Sequence, residues 1–376
     1  MFGLLVLSCL GLAAYPLLIY PVLVLGWSRL RPRRWAEGPF EGRVAHVITV
    51  HNEQARIRGK LENALAMVPP PGGIGTFVVS DGSTDGTEAV VKEFAARGVT
   101  WIGCPRRGKE EAQIEAVRRI DAPLLVFSDA SATIDAAALT SLLAPFRDPE
   151  VAAVSGNDRL DVNAKGTGED LYVRYEMAVR RAESLAGSLV GLSGCFFAVR
   201  REIAEQLLPS VPSDLGAALI CIRSGKRAVA QEQALCTYAA TEEAEKEFRR
   251  KRRTALRGLR ALLAYRQALT QGDPIAVWQV LSHKVMRFLV PVWLGLGAVF
   301  AACGAARGEA LALLEIWAFA GAGVLALSPL IVRPLRRSTP LRALGFLALS
   351  NAAVLAAWLD LLGGKDFSTW SPTRRP

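Results

Sequence analysis

Apolar and polar residues alternate along the middle of this chain in a way that predicts strands separated by helices. Strands are predicted at four short apolar runs, VAHVITV (44–50), TFVVS (76–80), VTWIG (99–103) and PLLVFSD (123–129). Between them, apolar residues recur at helical spacing among charged residues. Strands that alternate with helices form a parallel sheet with right-handed crossovers. We therefore predict an α/β fold with a mostly parallel, Rossmann-like sheet.

The first 28 residues predict a membrane anchor. They contain no charged side chain, and arginines follow at positions 29, 31, 33 and 34. About 20 apolar residues cross a bilayer, and clustered arginines mark the cytoplasmic side of a span. We expect residues 1–28 to cross the membrane with the N-terminus outside.

The last third of the chain contains three more apolar segments. They are 288–306, 310–332, which Glu315 interrupts, and 343–359, and together they predict about three transmembrane helices within residues 282–362. Buried core helices are the alternative, but arginines at 333, 336, 337 and 342 favour membrane spans. The sequence leaves open on which side of the membrane the basic tail, 363–376, lies, because one re-entrant segment among the three would move the tail to the other side.

Residues 35–244 are numerous enough for one α/β domain with a substantial core. A basic segment, 245–281, follows, in which arginines at 249, 250, 252, 253, 257 and 260 alternate with apolar residues. This pattern predicts an amphipathic helix that lies at a membrane surface.

Composition narrows the range of partners. The chain is 51% hydrophobic, its net charge is +10, and its basic residues lie next to apolar segments. Anionic lipid headgroups and phosphate groups are therefore the expected partners, and nucleic acid is not. The six cysteines form no C-x-x-C pair and the chain has three histidines, which fits a reducing compartment and argues against a zinc site.

Polar residues follow three of the predicted strands. They are His51 to Glu53, Asp81 to Asp85 and Asp129 to Ser131. The carboxyl ends of parallel strands meet at one edge of a sheet, where α/β proteins bind ligands. A capped turn without a ligand is the alternative for the loop DGSTDG (81–86).

Six strings in order resemble a membrane-anchored family 2 glycosyltransferase with a GT-A fold, similar to polysaccharide synthases. They are TVHNE, VVSDGSTDGT, RRGKEEA, VFSDAS, the segment from GEDLYVRYE to GCFFAVRRE, and EFRRKRRTALRGLRALL. The resemblance covers roughly residues 44–264. It implies a hexosyltransferase-type enzyme that moves a sugar, with inversion, from a nucleotide sugar to a lipid-linked or growing saccharide acceptor. It also implies a bacterial-type inner membrane, with the catalytic domain on the cytoplasmic face.

The resemblance assigns the donor to one set of residues. The nucleotide sugar, which the resemblance implies is UDP-linked, is expected to meet Thr49, Glu53, Asp81, Ser83, Asp85, Lys109 and Asp129. Asp81 is expected to accept the imide N–H of the base, and Lys109 to meet phosphate, unless it is a solvated lysine at a helix start. Asp129 opens a D-x-D element that holds Mg²⁺ or Mn²⁺, in which the third position is Ser131, a weaker ligand.

The acceptor side is assigned in the same way. Asp214 matches the general base, and its alternative role is a helix cap. Gly194, in the segment SGCFFA (193–198), is expected to face the acceptor, and Arg250 and Arg253 to contact phosphate. The family's Q-x-x-R-W element has lost its Gln and Trp here, which disfavours a processive synthase.

The loss of that Trp and the presence of Ser131 leave a second hypothesis open. In it, the chain is a catalytically degenerate relative that acts as a membrane scaffold in polysaccharide synthesis. The three aspartates Asp81, Asp129 and Asp214 argue against it.

Overall fold

The computed structural model describes residues 1–161, 168–239, 244–331 and 339–365. The basic tail beyond Lys365 and the arginines at 333, 336 and 337 lie outside the described residues, as does the side chain of Arg342. The strands are β1 Val44–Val50, β2 Ile74–Asp81, β3 Val99–Cys104, β4 Leu124–Asp129, β5 Thr133–Ile134, β6 Val151–Leu160, β7 Phe196–Arg200 and β8 Arg227–Tyr238.

Helices connect these strands and flank the domain. In chain order they are α1 Phe2–Ala14, α2 Tyr20–Leu30, α3 Gln54–Leu65, α4 Thr87–Lys92, α5 Lys109–Arg119, α6 Ala138–Leu143, α7 Gly168–Ala186, α8 Arg201–Ala204, α9 Ser213–Arg223, α10 Ala244–Ala264, α11 Ala268–Gln271, α12 Pro274–Val280, α13 Met286–Ala306, α14 Ala310–Ile331 and α15 Thr339–Leu362. Two five-residue π-helical segments, Tyr15–Ile19 and Leu281–Val285, join α1 to α2 and α12 to α13.

The strands form one mixed sheet in the order β3-β2-β1-β4-β7-β6-β8-β5. The four predicted strands, β1 to β4, pair in parallel, which confirms that part of the prediction. Strand β7 runs antiparallel between β4 and β6, and β8 runs parallel to β6. In the parallel part, Val50 pairs with Ser80 and Thr49 with Asp129, so the predicted polar strand ends lie along one edge.

Both faces of the sheet are covered, which explains why β1, apolar except at His46 and Thr49, is buried at every position. On one face, Val47 and Phe127 pack with residues of α5 and α9. On the other face, Ile48 packs with Ile57 and Leu61 of α3. The Phe127 and Phe197 rings stack at 5.1 Å between centroids and join β4 to β7.

Three helices are long and apolar enough to cross a membrane, by length and composition, within the described residues. They are Phe2–Leu30, Pro274–Ala306 and Leu344–Leu362. The predicted segment 310–332 is helical over Ala310–Ile331, and its apolar part, Ala310–Leu325, is shorter than these three. The predicted basic helix is present as α10, and it packs along α15. The predicted limits of the domains themselves stay predictions.

Candidate active site

A cavity of about 310 Å³ opens at the edge of the sheet where the parallel strands end. Nine predicted site residues line it: Thr49, Glu53, Lys109, Asp129, Ser131, Gly194, Asp214, Arg250 and Arg253. It also holds side chains that the sequence did not single out as site residues, chiefly Glu110, Asp158, Tyr238, Thr254 and Arg257. Asp81, Ser83 and Asp85 are not among its lining residues. The structure therefore brings together the candidate metal, acceptor and base residues.

Asp81 is almost fully buried and organises the loop that leads into α5. Its Oδ1 accepts the backbone N–H groups of Arg107 at 2.7 Å and Gly108 at 2.8 Å. Its Oδ2 is buried and has no hydrogen-bond partner within the described residues. Asp81 thus positions the start of α5, which carries Lys109, and keeps one carboxylate oxygen unused.

Asp85 and Ser83 stabilise the loop after β2. Asp85 Oδ1 accepts the N–H of Thr87 at 3.0 Å, and its Oδ2 accepts the N–H of Gln54 at 3.2 Å. Burial opposes the charged form, but these hydrogen bonds outweigh it and lower the pKa of Asp85. Ser83 Oγ accepts the N–H of Asn52. These contacts are those of a capped turn, and a role of Ser83 and Asp85 in nucleotide binding stays a prediction.

Gly82 is needed in this loop for two reasons. Its φ is +61°, in the left-handed region that favours glycine. A Cβ at this position would lie 2.7 Å from the backbone nitrogen of Arg106. The loops after β2 and β3 therefore pack together at backbone distance.

Lys109 and Asp129 form an ion pair inside the cavity, with 2.5 Å between Nζ and Oδ1. The Lys109 ammonium also lies 3.5 Å from the carbonyl oxygen of Gly194. Burial acts to lower the pKa of Lys109, but the Asp129 carboxylate outweighs it and the pKa is raised. Lys109 is therefore not a solvated lysine, and it links α5, β4 and the segment 193–198, which we call the acceptor segment.

Glu53 lies beside this pair and is 6% exposed. Its burial raises the pKa of the carboxyl, while Arg56, 3.6 Å away, opposes the shift, and Asp129 and Asp85 add to it. Within the described residues, no group of three or more histidine, cysteine or acidic side chains could hold a metal. Mg²⁺ is commonly held by one or two carboxylates together with substrate phosphates. Asp129 and Ser131 fit a metal that is shared with a diphosphate.

Asp214 is the second residue of α9, and its carboxylate makes no hydrogen bond or ion pair within the described residues. The helix begins after Pro212, which has no side-chain capping hydrogen bond. Asp214 Oδ2 lies 3.4 Å from the point that a Cβ on Gly194 would occupy. The carboxylate therefore faces the acceptor segment rather than the end of its own helix, which disfavours the capping alternative.

Asp158 is a partly buried residue of the site that the sequence analysis missed. Its Oδ1 accepts the hydroxyl proton of Ser193 at 2.5 Å, and Arg180 lies 3.8 Å from its Oδ2. Burial raises the pKa of Asp158, with Arg180 opposing. Ser193 Oγ in turn accepts the N–H groups of Cys195 and Phe196, so Asp158 fixes the acceptor segment. The signal available was the apolar run VAAVSG (151–156) just before it.

Helix α10 covers one side of the cavity with residues 250, 253, 254 and 257, which share one helical face. Arg257 forms an ion pair with Glu110, and Arg250 pairs with Glu247 through two contacts of 2.8 Å. Burial, and after it the charge of Arg257, lowers the pKa of Arg253. This side is thus rich in guanidinium groups, whereas the strand ends opposite carry carboxylates.

Comparison with known proteins finds a family model and curated relatives that are similar in sequence to this chain. The Glycosyl transferase family 2 model matches residues 46–208. The hyaluronan synthase of Streptococcus pyogenes serotype M3 is 31% identical over 214 residues, which are 52% of this chain and 49% of that protein. The N-acetylglucosaminyltransferase of Rhizobium meliloti is 26% identical over 290 residues, 66% of this chain and 67% of that protein. This chain therefore spans about half the length of the streptococcal relative.

One solved structure is similar over nearly the whole chain. It is the mannosyltransferase PcManGT from Pyrobaculum calidifontis, in complex with GDP-Man and Mn²⁺. Its TM-score is 0.74 at 23% sequence identity, and the match covers 97% of this chain and 100% of that chain. This similarity confirms the predicted fold class.

Proposed function

We propose that the chain, whose residues 46–208 match the Glycosyl transferase family 2 model, is an inverting glycosyltransferase. It would move a sugar from a nucleotide-sugar donor to a lipid-linked or growing saccharide acceptor. The observation that carries the proposal is one cavity in which Lys109, paired with Asp129, and the carboxylate of Asp214 both lie close to Gly194. The assembled cavity also disfavours the scaffold alternative.

The donor is assigned to the strand-end side of the cavity. Lys109 and the arginines of α10 are the cations available to a diphosphate, and Arg253 is the residue proposed to contact it. Mg²⁺ or Mn²⁺, held by Asp129 and Ser131 together with diphosphate oxygens, would supply charge neutralisation of the leaving group. The unused Oδ2 of Asp81 supports a uracil base as the ligand of that residue, since it can accept an imide N–H.

Asp214 is proposed as the general base. As the acceptor hydroxyl oxygen forms its bond to the anomeric carbon, Asp214 takes the hydroxyl proton, and the bond from that carbon to the nucleoside diphosphate breaks. A single displacement of this kind inverts the anomeric centre and needs no enzyme nucleophile. Asp214 has no partner to release first, which supports this role.

We place the transferase domain on the cytoplasmic face of a bacterial-type inner membrane. The arginines at 29, 31, 33 and 34, directly after the first span, support this side. A cysteine at position 121, where Asp121 is 91% exposed, tests it. The cysteine should resist a membrane-impermeant maleimide in intact cells and react after lysis. Labelling of intact cells would place the domain outside.

The function itself is tested with detergent-solubilised protein and a panel of UDP-, GDP- and other nucleotide sugars, with and without Mn²⁺. We expect release of the nucleoside diphosphate from a UDP-sugar, dependent on the metal and on Asp214. A chain that neither binds nor turns over any donor would be a scaffold instead.

A further inference from the structure

A second group of charged side chains lies outside the cavity, where α7 meets the start of the long helix 274–306. We call it the junction cluster, and it consists of Glu176, Arg180, Glu183, His283, Lys284 and Arg287. The helix 274–306 has 33 residues, more than the roughly 20 needed to span a bilayer, so its first turns can lie at the domain's surface.

The cations of the junction cluster have N–H groups that nothing in the described part of the chain accepts. Nη1 of Arg180 and both Nε and Nη2 of Arg287 are buried without a hydrogen-bond partner. Lys284 is half-buried, and within the described residues its ammonium has neither a hydrogen bond nor an ion pair. Buried polar groups in native proteins are almost always hydrogen-bonded, so such donors call for an acceptor.

The carboxylates nearby are already engaged by other donors. Glu176 Oε2 accepts from Arg287 Nη1 at 2.8 Å, and its Oε1 lies 2.9 Å from His283 Nε2. Glu183 Oε1 accepts a hydrogen bond from Tyr20 at 2.5 Å and lies 2.6 Å from His283 Nδ1, while its Oε2 has no donor within the described residues. Within the described residues, the junction cluster thus has more hydrogen-bond donors without an acceptor than carboxylate oxygens without a donor.

The junction cluster lies directly behind the acceptor segment. Lys284 Nζ is 3.1 Å from the point that a Cβ on Gly191 would occupy, two residues before Ser193. On the other side, Arg180 approaches Asp158, which lines the cavity and holds Ser193. Arg180 of α7 and Lys284 of the helix 274–306 are thus close to the side of the cavity where the acceptor is proposed to bind.

We propose that Arg180 and Lys284 bind a phosphate group carried by the acceptor. Charged N–H donors form their strongest hydrogen bonds with oxyanions, and a phosphate has enough oxygens for both side chains. The inference rests on the proposed function, because it identifies the acceptor as a phosphate-bearing molecule. The phosphate can belong to a lipid that enters along the 274–306 helix or to a soluble sugar phosphate.

The test is binding to the full-length chain in phosphatidylcholine nanodiscs, without any donor. Four probes are compared: a long-chain polyprenyl phosphate, the corresponding neutral polyprenol, a soluble sugar phosphate and inorganic phosphate. The variants are Lys284→Met and Arg180→Met. Arg181→Met is the matched control, since Arg181 is the next residue on α7, 63% exposed and paired with Glu232.

We expect the parent and Arg181→Met to retain the polyprenyl phosphate but not the polyprenol. Lys284→Met and Arg180→Met should each weaken this binding by about 10- to 100-fold, as loss of a charge-assisted contact does. If only the soluble phosphates bind and show the same dependence, the site stands and the acceptor is soluble. If no phosphate probe binds, or if binding is unaffected by both variants, the proposal is overturned.

Lys284→Met also separates binding from folding. Its ammonium has no partner to lose, so the thermal unfolding midpoint without ligand should stay unchanged or rise, whereas a structural role would lower it. UDP binding is measured in the same nanodiscs. If the parent chain binds the phosphate probes but not UDP, the proposed function is refuted and the phosphate site stands.

Discussion

The ammonium of Lys109 lies 2.5 Å from the carboxylate of Asp129, so the residue expected to hold a metal is already paired with a cation of the chain. The two side chains are 14% and 29% exposed, which limits screening of the pair by solvent. A metal held by Asp129 would compete with Lys109 for this carboxylate, and Lys109 would then be available to the diphosphate. Binding of the metal and binding of the diphosphate should therefore each change the affinity for the other, and titrations can measure this coupling.

Lys109→Met should therefore strengthen binding of Mn²⁺ without nucleotide and weaken binding of UDP. We expect changes of roughly tenfold in each direction, as for one charge-assisted contact. Calorimetric titrations with Mn²⁺ and with UDP measure both. Lys92→Met is the control, because Lys92 is exposed and pairs only with Glu88 among the described residues. Unchanged Mn²⁺ affinity would mean that Asp129 is not the metal ligand.

Asp81 offers a comparison between two substitutions. Asp81→Ala removes the acceptor of two backbone N–H groups and should lower the free energy of unfolding by about 1.5–3 kcal/mol. Asp81→Asn keeps an acceptor oxygen for the loop but places an N–H₂ group where Oδ2 was. It should fold like the parent and bind UDP more weakly, which thermal unfolding and calorimetry measure. An Asn variant with parental UDP affinity would remove Asp81 from the nucleotide site.

Asp214→Asn should reduce the rate of transfer by about 10² to 10⁴ while leaving UDP affinity unchanged. Because the carboxylate makes no capping hydrogen bond, we expect a change in stability of only a few tenths of a kcal/mol. The measurements are single-turnover transfer, UDP titration and thermal unfolding. Near-parental transfer by a folded variant would assign the base to another carboxylate of the cavity, with Asp158 the first to examine.

His46 gives the domain a predictable response to acid. The side chain is fully buried in β1, and burial, with a smaller contribution from Lys60, lowers its pKa to about 3. An unfolded histidine has a pKa near 6.5, so below that pH the unfolded chain binds more protons and stability falls. This group alone should cost about 2 kcal/mol at about pH 5 relative to about pH 7.5.

Unfolding of the parent and of His46→Asn across this pH range measures that contribution. The variant should lose less stability on acidification, by about 2 kcal/mol. Parallel curves for the two proteins would show that His46 does not set the response.

The local pattern was enough to predict β1 to β4 and the edge at which their ends meet, because each strand is a buried apolar run with polar residues at its end. The place of β7 was not predictable in this way, since antiparallel insertion between β4 and β6 depends on packing between distant segments. The same holds for the site. Lysine at position 109 indicated a phosphate contact, and aspartate at position 129 indicated a metal ligand. Their pairing with each other depends on the tertiary packing that brings the start of α5 to the end of β4.

Asp158 and the junction cluster show a different limit. Asp158 lies within a strand, and its role arises from Ser193, 35 residues later, so no local motif marks it. His283 lies just before the apolar segment 288–306, within the range 282–362 that was predicted to hold membrane helices. Its two glutamate neighbours come from α7, about a hundred residues earlier in the chain.

The side chains that contact Glu183 are made at widely separated times during synthesis of the protein. Tyr20, which donates to Glu183, is made 163 residues earlier, and His283, which binds the same carboxylate oxygen, is made 100 residues later. The first apolar helix, 2–30, and the α/β domain therefore leave the ribosome before the residue that completes their contact exists. Until residue 283 emerges, Glu183 has only Tyr20 as a side-chain donor among the described residues.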